Sequence, residues 1–112
     1  MEERSIGKRD LVCLNRGPGF KRADLTSRID AYCAQHQGWV VKNGYSFVDT
    51  QGIHGYHLHI GALGHGGCTW TIDNTCYSQL RKPLDQCNTE GANGKQGGIY
   101  TDQCASWYLT FG

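Results

Sequence analysis

Six cysteines in 112 residues constrain this chain more than any other feature. Cys13, Cys33, Cys68, Cys76, Cys87 and Cys104 are even in number and spread from end to end. A domain this short buries a modest core, and a disulfide offsets that by restricting the unfolded chain, by about 2–4 kcal/mol per bridge. Such bridges persist in oxidising compartments. The cysteines therefore predict three disulfides and a secreted protein. A zinc site would carry a close pair such as C-x2-C, and no two cysteines stand nearer than Cys68 and Cys76.

The remaining composition narrows the class. The length fits one domain. With 16 glycines and 38% hydrophobic residues, the chain is globular but loop-rich. A net charge of +1 with no basic stripe gives a nucleic-acid partner no footprint. No apolar run approaches the ~20 residues of a membrane-spanning helix. The start, Met1-Glu2-Glu3-Arg4, is charged where a signal peptide is apolar. Lys8-Arg9 reads as a dibasic processing site of the kexin type, which leaves residues 1–9 as a leader or tail without fixed structure. The domain is then 10–112, with eight basic and eight acidic side chains. It has no N-x-[ST] sequon for an N-glycan.

Periodicity supplies the elements. Leu11–Leu14 reads as a strand ended by Asn15-Arg16-Gly17-Pro18-Gly19. Asp24 reads as the cap of a helix over 24–37, with Leu25, Ile29, Tyr32, Cys33 and His36 on one face and Gly38 as its stop. Trp39–Lys42 and Tyr45–Val48 read as strands, with a hairpin turn or a bulge at Asn43-Gly44. Tyr56–Leu63 alternates, with Leu58 and Ile60 inward and His57 and His59 outward. Cys68–Ile72 alternates again. Asp73 caps a second helix whose face is Cys76, Leu80, Leu84 and Cys87, with a kink or a break expected at Pro83. Ile99–Thr101 and Ala105–Phe111 close the chain as strand. The order predicts an α+β fold, a two-layer sandwich of four or five antiparallel strands with two helices on one face, the split βαβ or ferredoxin-like plan.

That plan limits the bridges. Cys76 and Cys87 are separated by eleven residues of helix, about 16 Å, against the ~7 Å between Cα atoms that a bridge permits. Cys87 ends the second helix and Cys104 opens the last strand, which favours Cys87–Cys104. Antiparallel helices favour Cys33–Cys76, leaving Cys13–Cys68.

His54, His57, His59 and His65 crowd one segment. His57 and His59 share a strand face, so both imidazoles could approach one metal ion, with Asp49 from a neighbouring strand completing the site. An antiparallel sheet needs a polar open face, so they fit surface histidines better, and that reading predicts no metal and no cofactor. Paired histidines could also act as acid and base in a small hydrolase or ribonuclease. Gly91–Gly98 contains Gly-Lys but lacks the phosphate-loop spacing and follows a helix. Trp39, Trp70, Trp107 and the tyrosines fit core and sheet faces better than a sugar-stacking platform.

Taken together, the dibasic leader, the six cysteines, the two helices and the segment Cys87-Asn88-Thr89 through Gly94-Lys95-Gln96-Gly97-Gly98 give a resemblance. The chain resembles the small cysteine-rich effector and avirulence proteins of plant-pathogenic fungi, in particular the α/β-sandwich group related to killer toxins of smut fungi. The resemblance implies secretion to the apoplast or a host cell. It implies a virulence or avirulence role and a host protein or a second secreted effector as partner, while the residues themselves assemble no specific acid, base and nucleophile, so no catalysis is expected. A killer-toxin-like antifungal protein is the alternative, which near-zero charge disfavours.

Overall fold

A computed structural model describes residues 10–14, 19–87 and 94–111. The dibasic Lys8-Arg9 and most of the glycine-rich loop lie outside the described residues. In chain order the elements are β1 (Asp10–Cys13), α1 (Arg22–Gln35), β2 (Val40–Lys42), β3 (Ser46–Ile53), β4 (Tyr56–Gly64), β5 (Thr69–Thr71), α2 (Thr75–Asp85), β6 (Gly98–Thr101) and β7 (Ala105–Phe111).

The fold is α+β. Five strands form one antiparallel sheet in the order β1-β6-β7-β4-β3, and β2 and β5 pair separately. A βαβ unit contains a parallel pair, and this sheet has none. The first strand departs from the split βαβ plan because it pairs with β6 at the edge.

Alternation sets the two faces of the sheet. Leu58, Ile60 and Ala62 of β4 stand beside Leu109 and Trp107 of β7 and are buried with them. Leu25, Ile29 and Tyr32 of α1 and Leu80 and Leu84 of α2 join the same core. Each such aliphatic side chain contributes about 1.5–3 kcal/mol by leaving water. On the opposite face, Val12, Ile99, Tyr108, Gly61 and Val48 form one cross-strand row over all five strands. The small sheet reaches the core through Val41 and through Trp70, whose ring lies 5.3 Å from that of Trp107. Gly64 permits this approach, since a Cβ there would stand 2.4 Å from the Lys42 carbonyl oxygen.

Several sequence expectations shift. α1 begins at Arg22, so Asp24 falls in its first turn and Lys21 takes the cap position. α2 is one helix through Pro83, which forgoes its own bond to the carbonyl four residues upstream, that of Gln79, without ending the helix. Asn43-Gly44 is neither bulge nor hairpin. It is a turn that passes the chain from the small sheet to the large one. The hairpin lies at His54-Gly55, where φ values of 48° and 84° give the two left-handed residues of a two-residue loop.

Three disulfides staple the fold: Cys13–Cys87, Cys33–Cys76 and Cys68–Cys104. Cys33–Cys76 ties the helices together, as their packing predicts. The favoured Cys87–Cys104 and Cys13–Cys68 are corrected. Cys87 follows the end of α2 and lies beside the start of β6, where a Cβ on Gly98 would meet its sulfur at 3.1 Å. Cys13 pairs in register with Gly98, so it is the near neighbour. β6 then carries the chain about 10 Å away before the turn holding Cys104. At that end the β4–β5 turn arrives, with the His65 amide donating to the Cys104 carbonyl at 2.9 Å.

Candidate binding surface at the β3 edge

The histidines do not gather. His57 and His59 lie on the open face of β4, and His59 Nδ1 is 3.0 Å from the Thr50 hydroxyl. Asp49 pairs with Ile60 and therefore faces the core side, so it cannot complete a site with them. His54 sits in the hairpin 3.6 Å from the Asp24 carboxylate. His65 lies in the β4–β5 turn, its Nε2 buried without a hydrogen-bond partner among the described residues. Among the described residues no group of three histidine, cysteine or acidic side chains is placed to hold a metal ion. Lys95, the lysine of the Gly-Lys segment, is buried and donates to the Cys87 carbonyl at 3.2 Å. Trp70 and Trp107 belong to the core and its margin, whereas Trp39 is exposed.

The structure instead assembles a polar seam between α1 and β3. Asp24, Arg28, Tyr32 and His36 recur every four residues and so line one helix face. Each reaches β3 or its hairpin. Arg28 donates to the Gln51 side chain at 2.9 Å and to the Gly52 carbonyl at 3.1 Å. The Tyr32 hydroxyl donates to the Phe47 carbonyl. Burial, and then the charge of Asp49, push the Tyr32 hydroxyl well above the usual phenol range, which keeps it a donor. His36 Nδ1 lies 2.7 Å from the Tyr32 carbonyl. A carbonyl only accepts, so this nitrogen carries the proton. Its Nε2 faces Asp49 across 4.0 Å.

An aromatic chain runs outward from this seam. His36 stacks on Tyr32 with ring centres 4.0 Å apart, meets Trp39 at 4.3 Å, and Trp39 meets Phe47 edge-on at 5.1 Å. Tyr45 meets Phe47 edge-on at 6.1 Å. The chain ends in solvent, with Trp39 44% and Tyr45 45% exposed. Trp39 is held there by its backbone, which accepts from the Ile72 amide at 2.9 Å and donates to His36 at 3.1 Å.

Beside these rings lies the outer edge of β3, which no strand among the described residues covers. Hydrogen-bonded and non-bonded pairs alternate along an antiparallel ladder. The Gly64 amide donates to the Tyr45 carbonyl at 2.8 Å, which sets the phase. Phe47, Asp49, Gln51 and Ile53 then bond to β4, while Ser46, Val48, Thr50 and Gly52 turn their amides and carbonyls outward. Arg28 occupies the Gly52 carbonyl, consistent with that phase. The other edge is managed differently. β1 spans four residues, and its end is tied to Cys87.

The chain matches no family model, no curated protein and no solved structure.

An antiparallel sheet offers a partner either its open face or an edge strand. The sequence did not indicate which edge, because β3 looked as if it ended at Val48. The four-residue recurrence of Asp24, Arg28, Tyr32 and His36 was the available signal for the seam.

Proposed function

We propose that this is a secreted effector-type protein that acts by binding another protein, and that the partner adds a strand to the free edge of β3. The eight-residue β3 edge beside Trp39 and Tyr45 carries this reading. Unpaired amides and carbonyls at such an edge are a template for an extended segment, and alternate side chains supply specificity. Tryptophan and tyrosine are the residue types that most often anchor interfaces. The three disulfides support a secreted protein. Among the described residues no helix is long and apolar enough to cross a membrane. The resemblance to fungal effectors supports a host protein or a second secreted effector as the partner.

The test is to trap the partner through a photo-crosslinker at Thr50 in infected tissue, then to measure its affinity for variants. Val48→Pro removes an outward amide that the sheet does not use, and Trp39→Ala removes the anchor. Each is expected to weaken binding by about tenfold or more, with circular dichroism unchanged. Val12→Ala on the opposite edge is expected to bind as the parent does. A Val48→Pro protein with parental affinity refutes strand addition.

A further inference from the structure

We infer that the cleft between the first turn of α1 and the β3–β4 hairpin binds a neutral pyranose ring. Gly19, Phe20, Lys21, Asp24, His54 and Tyr56 line a space of about 320 Å³, at the lower end of the range of ligand sites. It lies at the hairpin end of β3, whereas Trp39 and Tyr45 lie at the other, so it is independent of the strand-addition surface.

The floor is preformed. Phe20 is buried and backed by Phe111, with ring centres 4.4 Å apart. Tyr56, 45% exposed, stands edge-on to Phe20 at 6.1 Å, and His54 lies near-parallel to it at 6.0 Å. Two accessible rings therefore stand at an angle around a fixed third. A pyranose has an apolar C–H face and a rim of hydroxyls. The first suits an aromatic wall, and the second suits the Asp24 carboxylate, the His54 imidazole and the Tyr56 hydroxyl. Asp24 and Lys21 balance in charge, which disfavours an anionic or a cationic ligand.

The backbone supplies a second observation. His54 adopts φ 48°, a region that non-glycine residues seldom enter and where Asn, Asp and His are the enriched exceptions. Within the fold its side chain gains a 3.6 Å contact with Asp24, and both groups are largely exposed. An exposed polar contact of this kind adds little stability. A side chain that the turn itself does not require, and that lines the aromatic cleft, fits a ligand contact.

The test is nuclear magnetic resonance titration of the labelled protein with chitotriose, cellotriose and mannotriose. At least one is expected to shift the backbone amides of 19–24 and 54–56 saturably. Tyr56→Ala is expected to weaken that binding about tenfold. Asp24→Asn, which keeps the shape, is expected to weaken it severalfold. Trp39→Ala is expected to leave it unchanged. The inference is overturned if no trisaccharide gives saturable shifts in these segments up to about 10 mM. It is also overturned if the shifts centre on Trp39 and Tyr45, or if Tyr56→Ala binds as the parent does. Strand addition at β3 stands or falls separately, on the Val48→Pro result.

Discussion

Asp73 controls the start of α2 through one carboxylate oxygen. That oxygen accepts from the Thr75 amide at 2.9 Å and from the Thr75 hydroxyl at 2.7 Å. The two bonds, the hydroxyl's first, hold the Asp73 carboxyl below its usual range. Asp85, at the other end of the helix, is lowered by its bonds from Arg22, the nearer of which is 2.5 Å. Both groups have folded pKa values below their unfolded ones. Their stabilisation is therefore complete above the unfolded value of about 4 and is lost as pH falls through the lower folded value. Asn74 holds the cap position, and Asp73 just before it supplies the side-chain acceptor, so Asp73→Ala is expected to cost about 1 kcal/mol at neutral pH, as the loss of a capping side chain does. Asp73→Asn keeps an acceptor, so it is expected to stay within about 0.5 kcal/mol at neutral pH and to flatten the acid loss. Urea unfolding at stepped pH measures both effects. An unchanged acid slope in Asp73→Asn would show that this carboxyl is not a source of the pH dependence.

Among the elements, those governed by local pattern were the most legible. β4 could be read because Leu58, Ile60 and Ala62 alternate with His57, His59 and Gly61 toward a one-sided core. β3 was cut short because Asp49, Thr50, Gln51 and Gly52 carry no apolar alternation. The core face of an edge strand can be polar when a helix answers it, as Arg28 answers Gln51. The pairing of β2 with β5 depends on residues far apart in sequence, and no local pattern encodes it. Bridges followed the same division. Cys33–Cys76 could be inferred because it joins two amphipathic helices, whereas Cys13–Cys87 needed β1 to be placed at the sheet edge. The helix-to-helix bridge spans 43 residues, and its loss as Cys33→Ala/Cys76→Ala is expected to cost about 3–4 kcal/mol. Denaturant midpoints at constant slope measure this. A loss below about 1 kcal/mol would show that the α1–α2 contact holds the reduced chain together without the bridge.

The whole molecule is asymmetric about its sheet. One edge, β1, is short and bridged to the end of α2, while the other, β3, is long and has outward amides at Ser46, Val48 and Thr50. A sheet edge left open is a liability in a secreted protein unless something uses it. This asymmetry predicts a specific pattern of hydrogen exchange in the free protein. Central β4 and β7, paired on both sides, are expected to exchange slowest, near the rate of global unfolding. Along β3 the rates are expected to alternate. Asp49 and Gln51, bonded to β4, exchange slowly, and Val48 and Thr50, facing out, exchange fast. Adding a partner that extends the sheet is expected to slow Val48 and Thr50 selectively and to leave β1 unaffected. Slow exchange at Val48 and Thr50 in the free protein at low concentration would mean that the edge is already covered. If the same protection grew with protein concentration, a second copy would be the strand that covers it.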